Sequence, residues 1–268
     1  MSIDTQASAG DGDDKVNTVL LAFRVLEHLV QAGAPVGVTE TAQRLGETKT
    51  RLFRTLRTLI AAGYVVQDGS SRYVATSRVY LMGQAYAGHH SLIDAARPAL
   101  EALRDRVRQT AALCEVEPDG VRVLFQARAP SPIQITTPVG ALMHFDASAQ
   151  GLVALAFGPA ELRMRLHAGA LPLLLEQTVA NLAGLEAQVE GIQRQGWAVA
   201  PGGVLVGVNA LAFPILDEAD GLIGTVSIVG AIQHVPPVPR PDQLAAVRDA
   251  ATAIAAAAMA RRGSRPWR

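Results

Sequence analysis

The chain has 268 residues, 49% of them hydrophobic, which is enough for two domains of ordinary size with a core in each. A formal net charge of zero excludes a uniformly basic nucleic-acid-coating protein, and the single Cys114 excludes an internal disulfide. Apolar runs such as 171–175 and 255–259 are too short to span a bilayer, and no apolar leader opens the chain, so a cytoplasmic protein without membrane contact is expected.

Residues 1–14 are polar, Gly-containing and carry four aspartates, and are expected to form a disordered tail. From 15 to 90 the charge balance reverses, with nine basic residues against four acidic ones. A basic module on a nearly neutral body fits a nucleic-acid-binding head on a larger domain.

The first helical pattern places Val16, Val19, Leu20, Phe23, Leu26, Leu29 and Val30 on one apolar stripe, expected to close a small core. A short helix follows, with Val38, Ala42 and Leu45 on one face, Thr39 as its cap and Gly46 as its exit. The next helix buries Leu52, Leu56, Leu59 and Ile60 and keeps Lys49, Thr50, Arg51, Arg54 and Arg57 off that stripe. Thr48 or Thr50 can cap it, leaving a helix N-terminus that favours a phosphate. Two helices around a glycine turn, the second basic, make a helix-turn-helix whose second helix suits a DNA major groove. A helical hairpin with a solvated basic face competes with that reading of the segment taken alone. Residues 64–67 and 72–75 then read as two strands around a turn at 68–71, a wing with Arg72 at its base. The predicted DNA-contacting set is Lys49, Thr50, Arg51, Arg54, Arg57 and Arg72.

Residues 77–91 read as a linker helix broken around 88–91, and a further helix runs from 92 to 107 with Pro98 in its early part. Strands are expected at 111–116, 121–127 and 133–139, helices at 151–157, 159–166 and 182–195, and strands at 197–200, 208–215 and 222–229. An Ala-rich helix at 242–261 closes the chain. Strands flanked by helices in this order predict an α+β sheet domain over 92–262, behind a winged helix-turn-helix over 15–76.

Residues 49–65, with a basic residue and a hydroxyl at the start, Arg54, Leu56 and a Gly-Tyr exit, resemble the recognition helix and wing of the IclR family of bacterial transcriptional regulators. The stretch 140–153 is similar to that family's Gly-x-x-x-Pro-Leu-His-x-Thr-Ala-x-Gly-Lys-Ala segment, and 196–198 and 207–215 resemble its later glycine-aromatic and Ala-x-Pro segments. The resemblance covers about Asn17 to Arg261. It implies a GAF-like C-terminal domain that binds a small effector, and a dimer or dimer of dimers on an inverted-repeat operator of double-stranded DNA. By position it implies an effector pocket lined by Leu142, Met143, Ala149, Gln150, Gly151, Asn209, Ala210, Ser227 and Val229. His144, Phe145 and Asp146 stand where Pro-Leu-His is usual, Leu152 replaces a Lys, Ala200 an acidic residue and Val229 a Ser of some members. The pocket is therefore less polar than those for very small acids, and an aromatic or alicyclic acid is expected.

Enzymatic chemistry finds little footing. The six histidines show no metal-ligand spacing, 202–207 does not fit a dinucleotide fingerprint, and Cys114 sits among apolar residues. No cofactor or metal is expected. The leading reading is a ligand-responsive regulator of a catabolic operon. The alternative is a small-molecule sensor working through protein contacts without specific DNA binding.

Overall fold

The computed structural model describes residues 16–89, 92–131, 134–135, 137–175, 182–219 and 221–263. The acidic stretch 1–14, residues 90 and 91 of the expected helix break, 133 and 136 of the expected third strand, and 220 of the turn after 216 lie outside them. The chain divides into two units, Met1–His89 and His90–Arg268.

In the first unit, α1 (Asn17–Ala32), α2 (Val38–Leu45) and α3 (Lys49–Ala61) pack on a three-stranded antiparallel sheet, and α4 (Ser77–His89) follows it. The sheet order is β1 (Val36–Gly37), β3 (Arg72–Ala75), β2 (Val65–Gln67). The core gathers Leu21, Val25 and Leu29 of α1, Leu52, Leu56 and Leu59 of α3, and Val36, Val65 and Tyr73 of the sheet. Gly46 ends α2 at φ 66°, the left-handed value that glycine adopts without steric cost. In the wing turn the Asp68 carboxylate accepts from the Ser70 and Arg72 amides.

The first unit departs from three local expectations. The buried stripe of α1 is Leu21, Val25, Leu26 and Leu29, while Val16, Val19, Leu20, Phe23 and Val30 are exposed. Both stripes have helical period, and the tertiary partners of α1 select the first. Thr39 does not cap α2, because the helix already starts at Val38; Thr41 instead donates back to the Gly37 carbonyl. The linker helix continues through Gly88 and His89.

The second unit is a six-stranded, wholly antiparallel sheet, in spatial order β6 (Leu142–Met143), β5 (Gly120–Ala127), β4 (Thr110–Glu117), β9 (Leu222–Ala231), β8 (Val208–Leu216), β7 (Ala198–Val199). Helices α5 (Leu92–Val107) and α9 (Pro241–Gly263) cover one face, where Leu211, Phe213, Ile215, Val226 and Ile228 point. Helices α6 (Ala149–Phe157), α7 (Ala160–His167) and α8 (Leu182–Gln195) lie with the core on the other face. Burial on both faces explains why the central strands read as nearly continuous apolar runs. No strand forms among the described residues of 133–139: residues 134, 135, 137 and 138 have no strand pairing, and Val123 bonds to Gly140 and Ala141 beside the short β6.

Candidate DNA-binding head and effector pocket

Helix α3 starts after Thr48, whose hydroxyl accepts from the Arg51 amide at 3.3 Å, which decides between the two possible caps. Its inner face buries Leu52, Thr55, Leu56 and Leu59. Positions 50, 54 and 57 lie one or two turns apart on the opposite face, with 49 and 51 beside them. Lys49, Thr50, Arg54 and Arg57 are exposed, and among the described residues the three cations have no hydrogen-bond or ion-pair partner. Arg51 differs: its Nη1 lies 3.1 and 3.0 Å from the two carboxylate oxygens of Glu47. Arg72, at the base of the wing, donates from Nε to the Pro35 carbonyl at 2.8 Å and has Glu40 at 3.9 Å. Sequence alone showed neither tether, since the first depends on the turn geometry and the second on the strand β1.

The second unit holds a cavity of about 120 Å³ between the sheet and the start of α6. Met143, Ala149, Gln150, Asn209, Ala210 and Val229 of the expected set line it. Leu142, Gly151 and Ser227 do not. Leu142 faces a separate surface hollow, because the pleat of β6 turns neighbours to opposite sides. Ser227 stands behind Gln150 and holds its Nε2 at 2.7 Å. Gly151 packs backbone to backbone: a Cβ there would meet the His144 carbonyl oxygen at 2.4 Å. Its amide is already capped by the Ser148 hydroxyl at 3.0 Å, so it is not one of the open N–H groups expected at this helix start. The Ala149 and Gln150 amides have no acceptor among the described residues.

Lining residues that sequence reasoning missed include Gln126, Thr137, Ser148, Val204 and Leu205. A glutamine within the apolar β5 run was the available signal for Gln126. Its Nε2 is buried without a partner, as is Oε1 of Gln150. Asn209 lines the wall, but its amide is fully occupied: Oδ1 accepts from the Ala200 and Ala210 amides, and Nδ2 donates to the Val235 and Pro236 carbonyls. None of the described lining residues is charged.

Residues 18–69 match the IclR helix-turn-helix domain, and residues 84–256 match the bacterial transcriptional regulator IclR C-terminal domain. The chain belongs to the IclR family. It is 27% identical over 236 residues to the glycerol operon regulatory protein of Streptomyces griseus, covering 87% of this chain and 92% of that one. It is 25% identical over 227 residues to the Pca regulon regulatory protein of Pseudomonas putida, covering 83% and 77%. Among solved structures, an IclR homologue complexed with 4-hydroxybenzoate from Microbacterium hydrocarbonoxydans shares the fold, with TM-score 0.76 and 22% identity over 91% of this chain and 99% of that one. The protein is thus a ligand-responsive, DNA-binding transcriptional regulator, not an enzyme.

The other candidate chemistry of this IclR-family chain reads accordingly. No helix among the described residues is long and apolar enough to cross a membrane, and no group of His, Cys, Asp and Glu among them is arranged to hold a metal. Cys114 is wholly buried, and burial pushes its thiol up to about 12. A thiol raised in the folded state favours the fold fully below its ordinary range and loses that contribution as pH rises towards 12. Native protein is therefore expected to resist iodoacetamide at neutral pH and to react once denatured. Rapid native labelling would contradict the buried assignment.

Proposed function

We propose that the head binds an inverted-repeat operator in duplex DNA, one α3 per half-site, and that a small organic acid in the second unit changes the affinity of that binding. The observation carrying the DNA contact is that Lys49, Arg54 and Arg57 extend from the outer face of a helix whose inner face is anchored by Leu52, Leu56 and Leu59. Lys49, Arg54, Arg57 and Arg72 take the phosphate role, and Thr50 and Arg51 the base-edge role. Chromosomal DNA places this activity in the cytoplasm. A gel shift on the DNA upstream of the protein's own coding region tests it. With about four phosphate contacts per head, a dimer gives a log–log salt slope of roughly −7. A flat salt dependence overturns the assignment. Arg54→Ala is expected to weaken binding to all DNA, and substitution of Thr50 to change sequence preference.

A homodimer is supported by large apolar side chains exposed on the head: Leu20 and Phe23 on α1, Tyr80 and Leu81 on α4. Phe23→Asp and Leu81→Asp are expected to shift sedimentation towards the monomer; unchanged sedimentation of both removes these faces from the interface.

For the effector we propose an aromatic or alicyclic acid. A cavity of about 120 Å³ is of the size that holds one ring, since roughly 150 Å³ accommodates benzene. The open Ala149 and Gln150 amides at the start of α6, with the unpartnered Gln126 Nε2, supply donors for a carboxylate where no side-chain cation is available. The structural neighbour in complex with 4-hydroxybenzoate carries a ligand of this class. In thermal shifts, benzoate, 4-hydroxybenzoate or cyclohexanecarboxylate is expected to raise Tm, and acetate and pyruvate are not. The reverse ranking rejects the ring-sized ligand.

A further inference from the structure

Glu47 occupies the turn between α2 and α3, one residue before the capping Thr48. Its amide donates to the Ala42 carbonyl at 3.0 Å, and its side chain is only 15% exposed. Both carboxylate oxygens lie within 3.1 Å of Arg51 Nη1. On its other side Arg24 of α1 approaches to 4.0 Å, while donating from Nη2 to the Leu45 carbonyl at 2.8 Å. Glu47 is therefore fixed by its own backbone and flanked by two guanidinium groups. Arg51 is the only one of the four cations between Lys49 and Arg57 with a carboxylate partner among the described residues.

Two consequences follow for a cation facing DNA. A free arginine is a long, mobile charge that finds a phosphate on any sequence. An arginine paired with a fixed carboxylate loses most of its net attraction for phosphate and much of its rotamer freedom. Its remaining N–H groups still form a planar fork suited to paired acceptors on a guanine edge. We propose that Glu47 is a positioning residue for specificity, holding Arg51 as a base reader and withholding it from the phosphates. This rests on the DNA-binding reading of the head and adds to it a residue that touches no DNA.

The test uses the full-length chain and a duplex library with a randomised core. The enriched duplex is compared with a scrambled duplex of the same composition, for wild type, Glu47→Gln, Arg51→Gln and the double variant. Glu47→Gln is expected to bind the scrambled duplex more tightly, to steepen the salt slope by about one per head, and to lower the enriched-to-scrambled affinity ratio about tenfold. Arg51→Gln is expected to lower that ratio without tightening on the scrambled duplex, and adding Glu47→Gln to it is expected to change the ratio no further. Equal weakening on both duplexes with an unchanged salt slope would mean that Glu47 only stabilises the turn, and overturns the proposal. So does an unchanged ratio in Glu47→Gln, or a further fall in the double variant, which remains readable if one single variant folds poorly. Failure of the wild type to enrich any duplex is a separate result, and rejects the DNA-binding reading instead.

Discussion

Leu52→Ala is expected to weaken DNA binding, most sharply near the head's melting transition, while leaving every basic side chain of α3 in the sequence. Leu52 is fully buried, on the turn of α3 that carries Lys49, Arg51 and Arg54 outward, and belongs to the apolar core of the head. Deleting its side chain costs roughly 2–5 kcal/mol, through lost transfer energy and the cavity left behind. That is a large share of the stability of a domain this small, because small domains bury a lower fraction of their surface and total stabilities are only about 5–15 kcal/mol. The melting transition of the head should fall by roughly 10–30 °C. Phe53→Ala, one residue along, is the control. Phe53 is 46% exposed, so its truncation is expected to change stability by no more than about 0.5 kcal/mol. Equal destabilisation by the two would show that α3 does not turn the Leu52, Leu56 and Leu59 face towards the core.

That contrast marks what could be read in the sequence and what could not. The helical period of α3 was legible because its leucines and its cations have opposite preferences: Leu52, Leu56 and Leu59 turn inward, and Lys49, Arg54 and Arg57 outward. The same reasoning misassigned α1, because it carries two apolar stripes. Leu21, Val25 and Leu29 meet α3 and the sheet, while Val16, Leu20 and Phe23 do not. Periodicity reports that a face is apolar, not what covers it. The strand β1 gave no local signal either, since two residues become a strand only by pairing with Arg72 and Tyr73 far along the chain. In the second unit, apolar runs marked the central strands, but the lining of the pocket depends on register. The β4–β5 register shifts between Leu113↔Phe125 and Cys114↔Val123, leaving Leu124 as an extra residue of β5; Leu124 and Phe125 both pack on the α5 and α9 side while Val123 and Gln126 line the cavity, and no local feature of the sequence announces it. Alternation at 133–139 imitated a strand whose partner positions are taken by Gly140 and Ala141. Asn209 and Ser227 entered the expected pocket only through their positions in the family resemblance. In the folded protein their polar atoms meet protein groups: Ser227 accepts from Gln150, and the Asn209 amide is fully engaged.

Asn209 and Gln126 therefore divide what a simple list of pocket residues would join. Asn209 is 1% exposed, and its four hydrogen bonds tie β8 to the segment after β7 and to the turn before α9. Asn209→Leu keeps the side-chain size but leaves two amides and two carbonyls without that partner. Each buried polar group so abandoned costs about 1–3 kcal/mol, and with partial relaxation a total of roughly 3 kcal/mol is expected. For a unit of this size that lowers its melting transition by roughly 6–12 °C. Gln126 is the opposite case. Its Nε2 is buried beside the cavity with no partner, so Gln126→Leu removes an unsatisfied donor and is expected to leave the ligand-free protein as stable as before or more so. What Gln126→Leu should lose is the rise in Tm on adding a ring-sized acid, because the donor that would meet the carboxylate is gone. The pair is read by differential scanning calorimetry with and without benzoate. A ligand-reading role for Asn209 predicts the inverse: an unchanged transition in the free protein and a lost benzoate response. An undiminished benzoate response in Gln126→Leu would take Gln126 out of the ligand contact and leave only the α6 amides to hold the acid.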